Sequence, residues 1–361
     1  MFSYTDPLVG IIILVAIIAL VTFIDYYRNR YKDKQKEKSL KNLTKSYEFV
    51  GLTQGVEEFL ALSDNPIPTL QFIANAYIQS GNTQEAIKIY LSILEKLQHS
   101  PESSKAKIKI EILQNLGNAY YSAGFLQRAK NVYLEILKNY PRNPQVLIYL
   151  LKTYEYLNEY KNAIDALMCI EEIYENMPPS KNEHFFYALE LNKAYLHTLL
   201  LINSHDMPIA EKIIKLNEIK DNEPKLEKIV LSFFKSVNHS LFWEEMIKSK
   251  HQEKYIDILW QFDDKDVPLE QLTDKQILDV YRAKGLVVDN QSCEIFELEN
   301  MRILKRYSNV PVDLDFEYRC HGCKQIFPFE NARCSHCGEL LNSDVLLKIR
   351  KIDNEASYPL L

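Results

Sequence analysis

Between Tyr318 and Leu341 the chain reads YRCHGCKQIFPFENARCSHCGELL, and four of its 6 cysteines fall in that window. They form two C-x-x-C pairs, Cys320/Cys323 and Cys334/Cys337, with ten residues between them. Each C-x-x-C turn can aim two sulfurs and nearby backbone N–H groups at one point. Two such turns can therefore complete a tetrahedron of thiolates around a single ion. Four protein ligands leave no open coordination position, so the expected role is structural rather than catalytic. His321 and His336 sit inside the turns, where the flanking cysteines suffice, and are read as exposed non-ligands.

A module of ~35 residues buries too little apolar surface to fold alone, so a bound ion would supply much of its stability. Tyr318-Arg319 and Leu346–Ile349 have strand character, and Gly338 follows the second pair where a positive φ is often needed. Zinc is preferred as the ion, with iron possible. Neither turn shows the full pattern of rubredoxin, because Lys324 follows the first pair and Ser335 stands where proline is usual. A thioredoxin-type redox pair would need one C-x-x-C on a βαβ unit, which the sequence lacks. Cys169 and Cys293 sit in helical runs and are expected to be small buried hydrophobes. The remaining histidines show no catalytic spacing to a Cys or Ser, and no enzyme motif is present. The chain is therefore read as a non-enzyme.

The other elements must place this module. With 361 residues, 47% hydrophobic and 25% charged, the chain has the composition of a folded protein. Its net charge of −6 argues against nucleic acid as a partner. Only 9 glycines are present, and no phosphate-cradling or dinucleotide loop occurs. Leu8–Ile24 is a 17-residue run without charge, flanked by Tyr4, Tyr26 and Tyr27. It just reaches the ~17-residue lower limit for a spanning helix. Asp6 before the run and Asp25-Tyr-Tyr-Arg after it disfavour a cleaved signal peptide. Arg28, Arg30, Lys32, Lys34, Lys36, Lys38 and Lys41 crowd one side of the run. The positive-inside rule then places everything after residue 28 in the cytoplasm, where disulfides are disfavoured.

The middle of the chain repeats. LGNAYYSAGFLQRAKNVYLEILKNYP carries Leu116, Gly117, Tyr120, Gly124, Ala129, Tyr133 and Pro141, and it resembles the tetratricopeptide (TPR) pattern of paired antiparallel helices. Ala74, Tyr77, Gly81, Ala86 and Tyr90 repeat the internal spacing upstream, and Tyr154, Asn158, Ala163 and Leu167 repeat it downstream. Tyr120 to Tyr154 is 34 residues, the repeat's own length, whereas Tyr77 to Tyr120 is 43, with the excess expected around HSPESSKAK (99–107). Asn82 with Glu85 reads as a capping box, and Pro66 and Pro68 suit a first helix turn. A fourth unit is expected over 183–216, around Ala194, Tyr195 and Ala210. Beyond it, IVLSFF, YIDILWQF and QILDVYRA keep a helical period without the motif. The expected organisation is a transmembrane anchor (1–27), a basic juxtamembrane linker (28–45), TPR repeats (46–223), degenerate helices or a cap (224–312), and the four-Cys ribbon (313–352). The fold class is an all-α repeat superhelix with a small zinc-ribbon or rubredoxin-like β module. Most conspicuous Tyr, Ala and Leu positions serve packing. Function would lie on the concave face, which suits an extended protein segment better than a small molecule.

An anchor, a TPR array and a ribbon beginning Tyr-Arg-Cys, in this order, resemble the lipopolysaccharide assembly protein B family of bacterial inner membranes. The sequence departs from that family in IFPFENAR, where an aromatic-rich stretch is usual, in lacking a Trp near the second pair, and in a shorter array. The resemblance implies metal ligation by Cys320, Cys323, Cys334 and Cys337. It also implies an inner-membrane adaptor that presents the deacetylase committing precursors to lipid A to a membrane ATP-dependent protease, so regulating lipopolysaccharide synthesis. Two other readings stand beside it: a general TPR scaffold or chaperone for envelope complexes, and an iron electron-transfer protein.

Overall fold

The computed structural model describes residues 66–98, 105–174 and 183–352, with scattered positions between 23 and 35. The anchor expected over Leu8–Ile24 lies outside the described residues apart from Phe23. Among the described residues no helix is long and apolar enough to cross a membrane. The chain divides into two compact units, residues 1–179 and 180–361.

The first unit is a run of helix pairs: α1 (Ile67–Gln79) with α2 (Thr83–Gln98), α3 (Lys105–Ser122) with α4 (Leu126–Asn139), and α5 (Pro144–Tyr156) with α6 (Tyr160–Tyr174). Each pair turns the same way. Gly81, Gly124 and Asn158 occupy the left-handed region at φ 84, 78 and 59. The following N–H returns to the tyrosine four residues before each of them: Asn82 to Tyr77, Phe125 to Tyr120 and Glu159 to Tyr154, all at 2.9 Å. These bonds satisfy carbonyls that a helix end would leave open, and the positive φ explains the two glycines. Ala86, Ala129 and Ala163 are fully buried where the paired helices touch. Tyr90 and Tyr133 are also fully buried, and each donates its hydroxyl to an amide oxygen of the partner helix, Asn75 or Asn118, at 2.8 Å. The third pair replaces this tyrosine with Leu167. Consecutive pairs also pack, α2 on α3 and α4 on α5. Pro66 is the N-cap of α1 and Pro68 lies in its first turn, as expected. Of the segment 99–107, where the excess residues are expected, Lys105–Lys107 belong to α3 and 99–104 lie outside the described residues.

The second unit opens with α7 (Glu183–Asn203) and α8 (Ile209–Asn222), where a fourth pair was expected. It continues through α9 (Glu227–Val237), α10 (His239–Lys248), α11 (Ile256–Trp260), α12 (Lys275–Lys284) and α13 (Phe296–Tyr307). Short 3-10 turns interrupt this stretch, so YIDILWQF yields only a five-residue helix. Phe242, Trp243, Phe262 and Tyr281 pack ring to ring at its centre. The loop from Gly285 to Ile295 is held by buried Arg282, which bonds Asp279, Asp289 and Gln291. Three strands follow, β1 (Val312–Cys320), β2 (Ile326–Phe327) and β3 (Ser343–Lys351), antiparallel in the order β2-β1-β3. Val312 and Leu314 of β1 enter the same apolar core as α9–α13.

Two cysteine expectations need correction. Cys169 does lie on a helix, α6, but is exposed, because the buried stripe of that helix runs through Ala163, Leu167 and Ile170. Cys293 is buried as expected but sits in the loop before α13, not in a helix. Burial and neighbouring Asp279 and Glu299 push its thiol up to about 12, leaving it inert.

Candidate metal centre

Each C-x-x-C pair is made by the same local device. Cys320 ends β1 and donates its N–H to Gln325 at 3.0 Å, while Lys324 returns its N–H to the Cys320 carbonyl at 2.9 Å. In the second turn Cys334 donates to Glu339 at 2.8 Å and Gly338 returns to Cys334 at 2.8 Å. The residue after each pair takes a positive φ, 62 at Lys324 and 80 at Gly338. The glycine does so freely, whereas lysine pays a steric cost for its Cβ.

The two turns face each other. Cys320 and Cys337 sulfurs lie 3.6 Å apart, those of Cys323 and Cys334 3.7 Å apart, and all four are within 4.8 Å of one another. A tetrahedron built with metal–sulfur bonds of ~2.3 Å has edges of roughly 3.8 Å, so the four sulfurs fit a metal ion. Cys320 and Cys334 are buried and Cys337 is exposed. Burial pushes the Cys334 thiol up, but the N–H groups of Cys337 and His336 and the neighbouring thiols outweigh it, holding the group at about 7. The neighbouring Cys337 thiol is instead pushed up, chiefly by burial, so ionisation of all four would depend on a bound cation. His321 and His336 are both exposed and outside the cluster, and His321 bonds Asp344 at 2.7 Å.

The sheet fixes the cluster to the helices of its own unit. Tyr318, two residues before Cys320, is buried and donates its hydroxyl to Asp257 Oδ2 at 2.9 Å. Lys228 Nζ reaches the same carboxylate at 2.8 Å and Glu330 at 2.7 Å. Trp260 donates to Asp313 at 3.0 Å, and Arg333, beside Cys334, donates to Asn192 at 2.7 Å. Sequence reasoning missed these anchors, although a lone acid inside the apolar run YIDILW was a visible signal. Asp257 is 2% exposed, and a carboxylate buried that deeply needs partners.

Residues 67–95 match the family description "Tetratricopeptide repeat". No curated protein matches the chain. Among solved structures, a tetratricopeptide repeat protein from Parabacteroides merdae is 18% identical, with 75% of this chain and 99% of that one covered at a TM-score of 0.35. Nearly identical TPR-like repeats from Podosopora anserina are 12% identical, covering 68% of this chain and 100% of theirs at a TM-score of 0.32. The chain carries a tetratricopeptide repeat; its turn bond and buried alanine recur in the two helix pairs that follow it, and its tyrosine–asparagine bond in the first of them.

Proposed function

We propose that this protein is a membrane-anchored cytoplasmic adaptor that regulates lipopolysaccharide synthesis by presenting the lipid A pathway deacetylase to a membrane ATP-dependent protease. One observation carries the reading most: a TPR stack and a four-thiol cage share one chain, in the order of the family that the sequence resembles. The parts suit the task physically. An anchor at Leu8–Ile24 would confine the chain to the plane of the inner membrane and raise its effective concentration beside a membrane protease. The repeats offer an extended surface for a protein client. Cys320, Cys323, Cys334 and Cys337 would hold zinc, with a structural role. Organisation into anchor (1–27), linker (28–45), repeats (46–223), cap (224–312) and ribbon (313–352) belongs to the same proposal.

Depleting the protein and measuring deacetylase abundance tests the role directly. The deacetylase should accumulate several-fold; an unchanged level removes the role while leaving the fold intact. The absorption spectrum of the purified chain tests the metal. Zinc leaves the visible range clear, whereas a ferric four-thiolate site colours it and would favour electron transfer instead.

A further inference from the structure

The sheet of the ribbon is open at one edge. Cys320 directs its N–H to Gln325 on the β2 side, whereas His321 bonds Asn342 and Pro311 accepts from Ile352 on the β3 side. Odd-numbered residues of β1 therefore bond to β3, and by the register Arg319↔Asp344 and Glu317↔Leu346 the even-numbered residues of β3 bond back. Ser343, Val345 and Leu347 must then turn their N–H and C=O groups outward. The next outward donor along, Leu341, gives its N–H to Ala332 at 2.7 Å. Among the described residues Ser343, Val345 and Leu347 have no such backbone partner.

A cleft of about 870 Å³ runs beside this edge. Four consecutive residues, Ser343 to Leu346, line it, so the strand's edge rather than one face borders the space. Its opposite wall includes Lys225, Lys228, Ile229, Lys254 and Tyr255. Lys228 is already engaged by two carboxylates, Asp257 and Glu330, and is not free for a partner. Lys225 and Lys254 have no carboxylate partner among the described residues, and Lys225 rests 5.1 Å over the Tyr187 ring. Glu253 on that wall lies 3.4 Å from His251, and Asp344 on the strand, which also lines the cleft, is held by Arg319 at 3.1 Å and by His321 at 2.7 Å.

We propose that β3 takes up an extended segment of a partner polypeptide as an added strand, and that this segment carries acidic side chains toward Lys225 and Lys254. Backbone pairing at Ser343, Val345 and Leu347 would supply affinity, and the two ammonium groups the preference for acid. All the residues that line the cleft belong to the second unit, and the inference does not depend on the client proposed above.

The full chain with its metal bound should bind a labelled peptide of alternating Glu and Val, read by fluorescence anisotropy. Replacing Glu by Lys in the peptide, or combining Lys225→Glu with Lys254→Glu, should weaken binding about ten-fold or more. Val345→Pro removes an outward N–H without touching the β1 ladder, and should abolish binding while metal content stays unchanged. Hydrogen exchange should show new protection of the Val345 and Leu347 amides when the peptide is bound. The proposal fails if the peptide does not bind, if an N-methylated version binds equally, or if protection arises elsewhere. Protection of those amides without peptide would also overturn it, by assigning the edge to a second copy when it grows with protein concentration, or to residues 353–361 when truncation removes it.

Discussion

The helix pairs of residues 67–174 and the ribbon of 312–351 meet the same requirement, a fixed arrangement of short elements, from different resources. In the pairs, one contact set is used again and again: a buried tyrosine, a buried alanine and a positive-φ turn residue. Neighbouring pairs then bury what a single pair would expose. The ribbon contains few buried apolar groups, among them Val312, Leu314, Tyr318 and Leu340. Its organisation comes from four sulfurs and from polar anchors such as Tyr318–Asp257 and Trp260–Asp313. Redundancy makes the first region tolerant of a single loss, whereas the second depends on a few groups with no substitutes.

The largest effect is expected from removing two of the four thiols. Cys334→Ser with Cys337→Ser should abolish metal binding. Structural zinc contributes an apparent ~10–16 kcal/mol in small fingers, more than so small a sheet can replace. Hydrogen exchange should show protection lost across β1–β3, with α1–α6 unaffected. Equal loss in both regions would mean that the ribbon and the pairs are one cooperative system.

Next in size is the Asp257→Ala change. It removes the acceptor of Tyr318 and leaves Lys228, 16% exposed in its side chain, with only the half-open Glu330. Breaking a buried ion pair by one partner costs roughly 3–5 kcal/mol, and the surviving Glu330 contact should bring this to the low end. Chemical denaturation followed by ribbon amide signals measures it. A loss under ~1 kcal/mol would show that the sulfurs alone position β1.

The repeats can be tested at Gly117. A Cβ there would lie 2.5 Å from Tyr133 Cε1, and that ring is fully buried and tethered through its hydroxyl to Asn118. The ring has nowhere to move. Gly117→Ala should therefore destabilise by about 1–3 kcal/mol despite alanine's better helix propensity. The effect should stay within the first unit, which thermal unfolding of Gly117→Ala with and without chelator can show.

Acid separates the regions more gently. The Arg302 hydrogen bond holds the Glu299 carboxyl down to about 2, with help from the Cys293 N–H and against a smaller opposing effect of burial. Because the folded value lies below the ordinary one near 4.5, Glu299 stabilises the fold above that pH. The contribution fades as pH falls toward about 2. Glu299→Gln should flatten the acid limb of a stability profile between those values; an unchanged limb would deny the group its role.

The repeats were legible in the sequence because their constraints recur at fixed spacing. Tyr77, Tyr120 and Tyr154, then Gly81, Gly124 and Asn158, each mark one place in a unit, so one identified member locates the others. The cysteine pairs were equally legible because two residues three apart share one turn. The anchors between ribbon and helices were not. Asp257 and Tyr318 are 61 residues apart, and Arg333 and Asn192 are 141 apart, so nothing in either local stretch names its partner. The interrupted helices of 252–271 were missed for a related reason. Their apolar periodicity is helical, but the helix ends at Trp260 and Phe262 packs its ring on Trp243, a residue far back in the sequence that the local pattern does not name.

A small effect decides whether the two cysteine turns are equivalent. Both place the residue after the second cysteine in the left-handed region, yet one is Lys324 and the other Gly338. An L-residue there costs roughly 1–2 kcal/mol of backbone strain, whereas glycine has none. Lys324→Gly should therefore stabilise the ribbon by up to ~1 kcal/mol, since glycine gives back part of the gain as entropy of the unfolded chain. Gly338→Ala should cost about the same amount or more. Lys324 is exposed, and among the described residues its side chain has no hydrogen bond or ion pair that would mask the result. Competition with a chelator gives both changes on one scale: Lys324→Gly should tighten metal retention and Gly338→Ala loosen it. If both variants loosen it, Lys324 is held in place by something other than its backbone, and the apparent twofold likeness of the turns ends at the sulfurs.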